Sequence, residues 1–136
     1  MTISASIKNG WQQQHITVQT EGREKTISIP AKTEGKGSAV NGGELLFLAL
    51  ATCYCNDIYR EAPRRNITVH SVAVTVTGAF GGEGEPGSNI RYEAVIDADC
   101  SDEELQQLLD DVDRIAEVHN TLRQGTAVTL TRVNKV

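Results

Sequence analysis

Three cysteines and three histidines are the side chains best suited to chemistry near neutral pH in this 136-residue sequence. Cys53 and Cys55 lie in the most apolar stretch, Asn41–Tyr59. Two residues along a helix turn through about 200°, so these thiols face opposite ways and do not bridge without unwinding. Their spacing also misses the C-x-x-C gap of a redox or zinc pair, and Cys100, His15, His70 and His119 add no ligand spacing. What is left is single-thiol chemistry, attack by a thiolate on an electrophile, set against plain packing, the usual role of a buried cysteine. Cys53 shares a helical face with Leu46, Ala49, Leu50 and Asp57; Cys55 shares one with Leu48, Thr52 and Tyr59. Neither is near the start of the helix, so its dipole does little for a thiolate, and an activating group must come from elsewhere.

That helix is read from its ends. Asn41 and Glu44 have the spacing of a capping box, nothing from Leu45 to Cys55 is charged, and Pro63 disfavours a helical Ala62. The expectation is one helix over 42–61, apolar all round in its first three turns and enclosed by other elements. Ahead of it, Ile3, Ala5 and Ile7 alternate with Ser4 and Ser6, and Asn9-Gly10 signals a hairpin. Strands over His15–Thr20 and Lys25–Ile29 complete a three-strand antiparallel meander with too few inward residues to bury itself. Ala31–Gly43 reads as a mobile loop with Lys36 in it. After the helix come a strand over Ile67–Thr77, covered on both faces, and its hairpin partner Ile90–Ala98. Ser101 and Glu104 form a second capping box, opening a helix over 102–120 with an acidic outer face. Ala127–Val133 closes the chain as a strand. The order βββ-α-ββ-α-β makes a single domain, 1–136, of class α+β.

Composition narrows the function. The net charge of −5 without a basic run argues against nucleic acid. The start of the chain has no apolar signal core, and Leu45–Cys55 is shorter than the roughly 20 residues of a membrane span, so a cytoplasmic protein is expected. An odd number of cysteines in a chain of this size points to reduced thiols. No metal or cofactor is expected.

The run Gly42-Gly-Glu-Leu-Leu-Phe-Leu-Ala-Leu-Ala-Thr-Cys53 resembles the OsmC/Ohr family, whose central helix reads Pro-x-Glu-Leu-Leu-x-x-Ala-Leu-x-x-Cys. Ile115–Leu130 looks like the family's second signature region, and the element order agrees. The resemblance implies an intertwined homodimer with active sites at the subunit interface. It also implies reduction of organic hydroperoxides by two cysteines, one becoming a sulfenic acid and the other closing a disulfide that a dithiol reduces. Cys53 matches the first cysteine. The position of the second, counted back from Asn120-Thr-Leu122, holds Ala116, so an external thiol is the expected resolving partner.

Glu44 matches the glutamate of the family motif. It lies nine residues from Cys53, about 13.5 Å along the helix and on another face, so it acts only across a dimer interface, beside its capping role. The family's activating arginine falls in the N-terminal meander, where Arg23 is the one arginine. Lys36 is the alternative cation. His119 sits near the Ala116 position, with meeting the helix dipole as its plainer role. Cys100 reads as strand-end packing. Asp102, Glu103, Asp110, Asp111, Asp113 and Glu117 read as a solvated face, and Trp11 as edge or dimer packing. The competing reading is a non-enzymatic protein of the same fold that binds a small apolar ligand or a partner.

Overall fold

In the computed structural model, which describes residues 1–136, the Asn41–Glu44 box closes in both directions. The Glu44 amide donates to Asn41 Oδ1 at 2.9 Å and the Asn41 amide to Glu44 Oε1 at 3.1 Å. Helix α1 then runs Gly42–Glu61. Pro63 falls in the first turn of a short 3₁₀ helix, Ala62–Arg65, and Asn66 ends it in the left-handed region at φ 57°. The helix bounds expected from capping and proline are the observed ones.

The chain divides into two compact units, Met1–Leu45 and Leu46–Val136. The first holds β1 (Ile3–Gly10), β2 (Gln13–Thr20) and β3 (Arg23–Ile27), an antiparallel sheet in sequence order. Its first turn lies at Trp11-Gln12 rather than Asn9-Gly10, because Gly10 pairs with Gln13. Asn9 serves as a side-chain clamp instead, donating to Gln14 Oε1 at 3.0 Å and accepting from the Gly37 amide at 2.8 Å. The second turn, Glu21-Gly22, has φ of 49° and 76° and fits the primed hairpin geometry. The loop after β3 is tied by a bridge between Ala31 and Ser38 and by Ala39 N–H to Pro30 C=O at 3.0 Å. Ile3, Ile7 and Ile27 stay exposed, as expected of a sheet with so few inward residues.

In the second unit, β4 (Thr68–Ala79) and β5 (Ser88–Asp99) form a hairpin followed by α2 (Asp102–Ile115) and α3 (Glu117–Gln124). A bulge at His70 puts Val69 on the same side as Val72 and Val74, where strict alternation would set it opposite them. That side packs with Tyr54, Ile58, Ala62, Ile67, Leu108 and Val112 in the core. Ile58, Leu108 and Val112 are fully buried, each stabilising the fold by about 1.5–3 kcal/mol. The opposite face, with Ala73, Thr75 and Val95, is exposed, so only one face of β4 is covered in this chain. Gly78 is where α1 presses on the hairpin: a Cβ there would meet the Phe47 ring at 2.7 Å.

Two further expectations are corrected. The helix over 102–120 breaks at Ala116, whose ψ of 106° is extended. Side chains of α3 satisfy the carbonyls freed at the break, Asn120 Nδ2 donating to Arg114 C=O at 2.9 Å and Arg123 Nη1 to Asp113 C=O at 3.0 Å. The strand over Ala127–Val133 does not form either. Val128, Leu130 and Val133 are nearly fully exposed, and an alternating pattern makes a strand only where a sheet edge pairs with it. The class is α+β, with the order βββ-α-ββ-α-α.

Candidate functional site

Cys53 sits midway along α1, half-buried, one turn after the buried Leu50 and one turn before the buried Asp57. Its thiol has two carboxylate acceptors within reach of its one proton, Asp57 Oδ2 at 3.9 Å and Glu117 Oε2 at 4.0 Å, long contacts of the kind sulfur makes. Glu117 opens α3, and the backbone amides of Val118 and Glu117 face the sulfur from that helix end. The break at Ala116 is therefore what carries an N-terminus to Cys53. The donor atoms of Cys53, Asp57 and Glu117 all lie within 4.8 Å of one another, close enough to surround a divalent ion. Here the one thiol proton stands between the two carboxylates instead, and Asp57 Oδ1 is held by Arg60 Nη1 at 3.0 Å.

The electrostatics follow from this crowding. Burial pushes the Cys53 thiol above its ordinary value, the Asp57 and Glu117 charges add to the rise, and the two amides oppose it. Asp57 is likewise pushed up, first by burial and then by Glu117 and Glu61, against the pull of Arg60. Arg60 lies on the solvent side and is shared with Glu61 at 3.2 Å. The result is a protonated nucleophile beside a buried carboxylate that can take its proton.

The same two helices, α1 through Leu50 and α3 through His119, Leu122 and Arg123, line a hollow of about 230 Å³ with Ile90 and Tyr92; Cys53 is not part of its wall. An apolar cavity of about 150 Å³ is enough for benzene, so this one suits a compact apolar group. Its polar wall is a network: the Tyr92 hydroxyl donates to Asp113 Oδ1, which also accepts from Arg123 Nη2 at 2.7 Å. Burial pushes the Asp113 carboxyl up, but these two hydrogen bonds outweigh it and hold Asp113 below the usual carboxylate range. Tyr54 and Tyr92 meet edge to face at 4.7 Å, and the Tyr54 hydroxyl donates to Leu109 C=O at 2.9 Å. His119 packs on both rings, is 4% exposed, and has no hydrogen-bond partner on either nitrogen.

Of the residues singled out by sequence, Cys53 stands at this site and Glu44 in its capping box, its carboxylate on the Asn41 amide. Arg23 opens β3 opposite Thr20 and is exposed, as is Lys36. His119 is not a helix-terminal dipole partner but a buried ring. Cys100 packs at the edge of the core, as read. The sequence puts Glu117 on the solvated face, since a continuous helix points it outward; only the break at Ala116 brings it to Cys53. Asp57 was visible as a face-mate of Cys53.

The model of the OsmC-like protein family matches residues 35–131. Comparison with curated protein sequences finds no match. Among solved structures, the chain is similar to an OsmC-like protein from Mycoplasma pneumoniae, with 22% identity, TM-score 0.62, and coverage of 90% of this chain and 86% of that one. It is similar to the organic hydroperoxide resistance protein OhrB of Bacillus subtilis, with 18% identity, TM-score 0.53, and coverage of 90% and 91%. A third is an organic hydroperoxide resistance protein OsmC from Legionella pneumophila, with 20% identity, TM-score 0.52, and coverage of 90% of each chain. These likenesses establish the fold. Together with the family match over most of its length, they show that the chain belongs to the OsmC-like protein family.

Proposed function

We propose that this protein is a one-cysteine, thiol-dependent reductase of organic hydroperoxides, with Cys53 as its nucleophile. The observation that carries the reading is the Cys53 sulfur itself, set between a buried carboxylate and the amides of α3, on a helix whose preceding turn, at Leu50, lines an apolar hollow. Sulfur attacks the outer peroxide oxygen, the O–O bond breaks, and the alkyl oxygen leaves as an alcohol once it gains a proton. Cys53 is then a sulfenic acid. Since Ala116 holds the position of a second cysteine, an external thiol condenses with the sulfenic acid and releases water. A second external thiol then frees Cys53 and leaves as the disulfide.

The reading includes one OsmC-like domain acting as an intertwined homodimer in the cytoplasm. Exposed Leu48 and Val95 and the bare outer face of β4–β5 support the second copy. Across that interface Glu44 and Arg23 are the proposed groups to approach Cys53 from the partner. The raised thiol supports the competing reading, a ligand-binding protein without turnover, because a protonated sulfur is a poor nucleophile. Peroxide consumption with a dithiol separates the two. Turnover that vanishes in Cys53→Ser and survives in Cys55→Ser and Cys100→Ser is the expected result; a Cys53→Ser protein as active as the parent overturns the reading.

A further inference from the structure

We propose that Asp57 carries the Cys53 proton: its Oδ2 takes the proton as sulfur attacks and passes it to the departing oxygen. This deepens the reading above and rests on it for the second half of the step. The geometry comes from α1, where Asp57 follows Cys53 by four residues on the same face. Asp57 is 4% exposed, and Arg60 Nη1 fixes its other oxygen at 3.0 Å, leaving Oδ2 turned to the thiol. A separation of 3.9 Å is long for a proton transfer, but such contacts are often loose before substrate arrives and tighten in the reacting complex. Glu117 is as near but exposed and held by no ion pair, so it lacks that fixed aim.

The step balances. The Sγ–O bond forms to the outer peroxide oxygen, the O–O bond breaks, and its electron pair stays on the alkoxide. The thiol proton travels through Asp57 to that alkoxide, giving an alcohol and Cys53 sulfenic acid. Sulfur loses two electrons and the peroxide gains them.

Charge alone makes the opposite prediction, and that opposition gives the test. Asp57 and Glu117 are the charged groups facing the sulfur, with the Val118 and Glu117 amides opposing them; Arg60, Glu61 and Glu117 face Asp57. If Asp57 only repelled a thiolate, Asp57→Asn would speed the reaction near neutral pH. If it carries the proton, the same change slows it by about 100-fold, the typical worth of a positioned base, and Asp57→Glu recovers part of the rate.

The rates to measure are carbamidomethylation of Cys53 by iodoacetamide and sulfenic acid formation with cumene hydroperoxide, from about pH 6 to 10, in a Cys55→Ser/Cys100→Ser background. Proton carriage predicts a plateau for the parent between the Asp57 and Cys53 titrations. It also predicts that Asp57→Asn converges with the parent at the alkaline end, where thiolate is already formed. A parent rate rising about tenfold per pH unit throughout, or a faster Asp57→Asn protein, overturns the proposal. Should Asp57→Asn fail to fold, judged by circular dichroism, the parent profile decides alone. A plateau in alkylation without any sulfenic acid would keep Asp57 as proton acceptor and defeat the peroxidase reading instead.

Discussion

The surroundings of His119 favour its neutral form, and the cost of charging it appears on acidification. Burial lowers its affinity for a proton, Arg123 adds to the effect, and Asp113 partly offsets it. Its folded pKa therefore lies below the ordinary value, so the unfolded chain binds the proton first as pH falls. Stability is full above about pH 6.5 and is lost on the way down through the folded pKa. His119→Phe keeps a ring against Tyr54 and Tyr92 and removes two unsatisfied nitrogens. Urea midpoints at about pH 7.5 and 5 should fall less for His119→Phe than for the parent; parallel losses would refute this. The pairing of Cys53 with Asp57 was legible because a helix puts residues four apart on one face. The burial of His119 was not, since a lone histidine carries no sign of the two tyrosines that enclose it.

At the scale of elements, α1 was legible from its two ends: Asn41 with Glu44 at the start and Pro63 at the stop. Asn41→Ala removes the side-chain acceptor for the Glu44 amide and should destabilise the chain by about 1 kcal/mol, read as a lower denaturant midpoint with an unchanged slope. The split between α2 and α3 was not legible, because Ala116 is a good helix former. Residue 116 carries no sign of it; the Asn120 and Arg123 side chains further along take up the carbonyls that the break frees at the end of α2. The same split brings Glu117 and Val118 to Cys53, and residue 116 directly precedes them in the chain. Ala116→Cys should close a disulfide with Cys53 when treated with one equivalent of hydroperoxide, seen as a mass two hydrogens lower. A persistent sulfenic acid in that variant would show that the helix break does not place residue 116 within reach.

For the whole molecule, the sequence's apolar patterning exceeds what one copy buries. Val95 is 73% exposed on the bare face of β4–β5, and Leu48 is 59% exposed on α1. No helix is long and apolar enough to cross a membrane. A second copy is the proposed cover for the exposed apolar residues. The strand expected over Ala127–Val133 has the same origin, an alternating pattern that pairs with no sheet edge in this chain. Light scattering at micromolar concentration should give twice the 14.7 kDa chain mass; a mass of one chain would contradict the dimer. The central claim concerns chemistry at one sulfur and is tested most directly by trapping. Reduced protein is mixed with one equivalent of cumene hydroperoxide in the presence of dimedone and mapped by peptide mass spectrometry. The account predicts one dimedone adduct, on Cys53, formed far faster than on Cys55 or Cys100. No adduct on Cys53, or equal slow labelling of all three thiols, would contradict it.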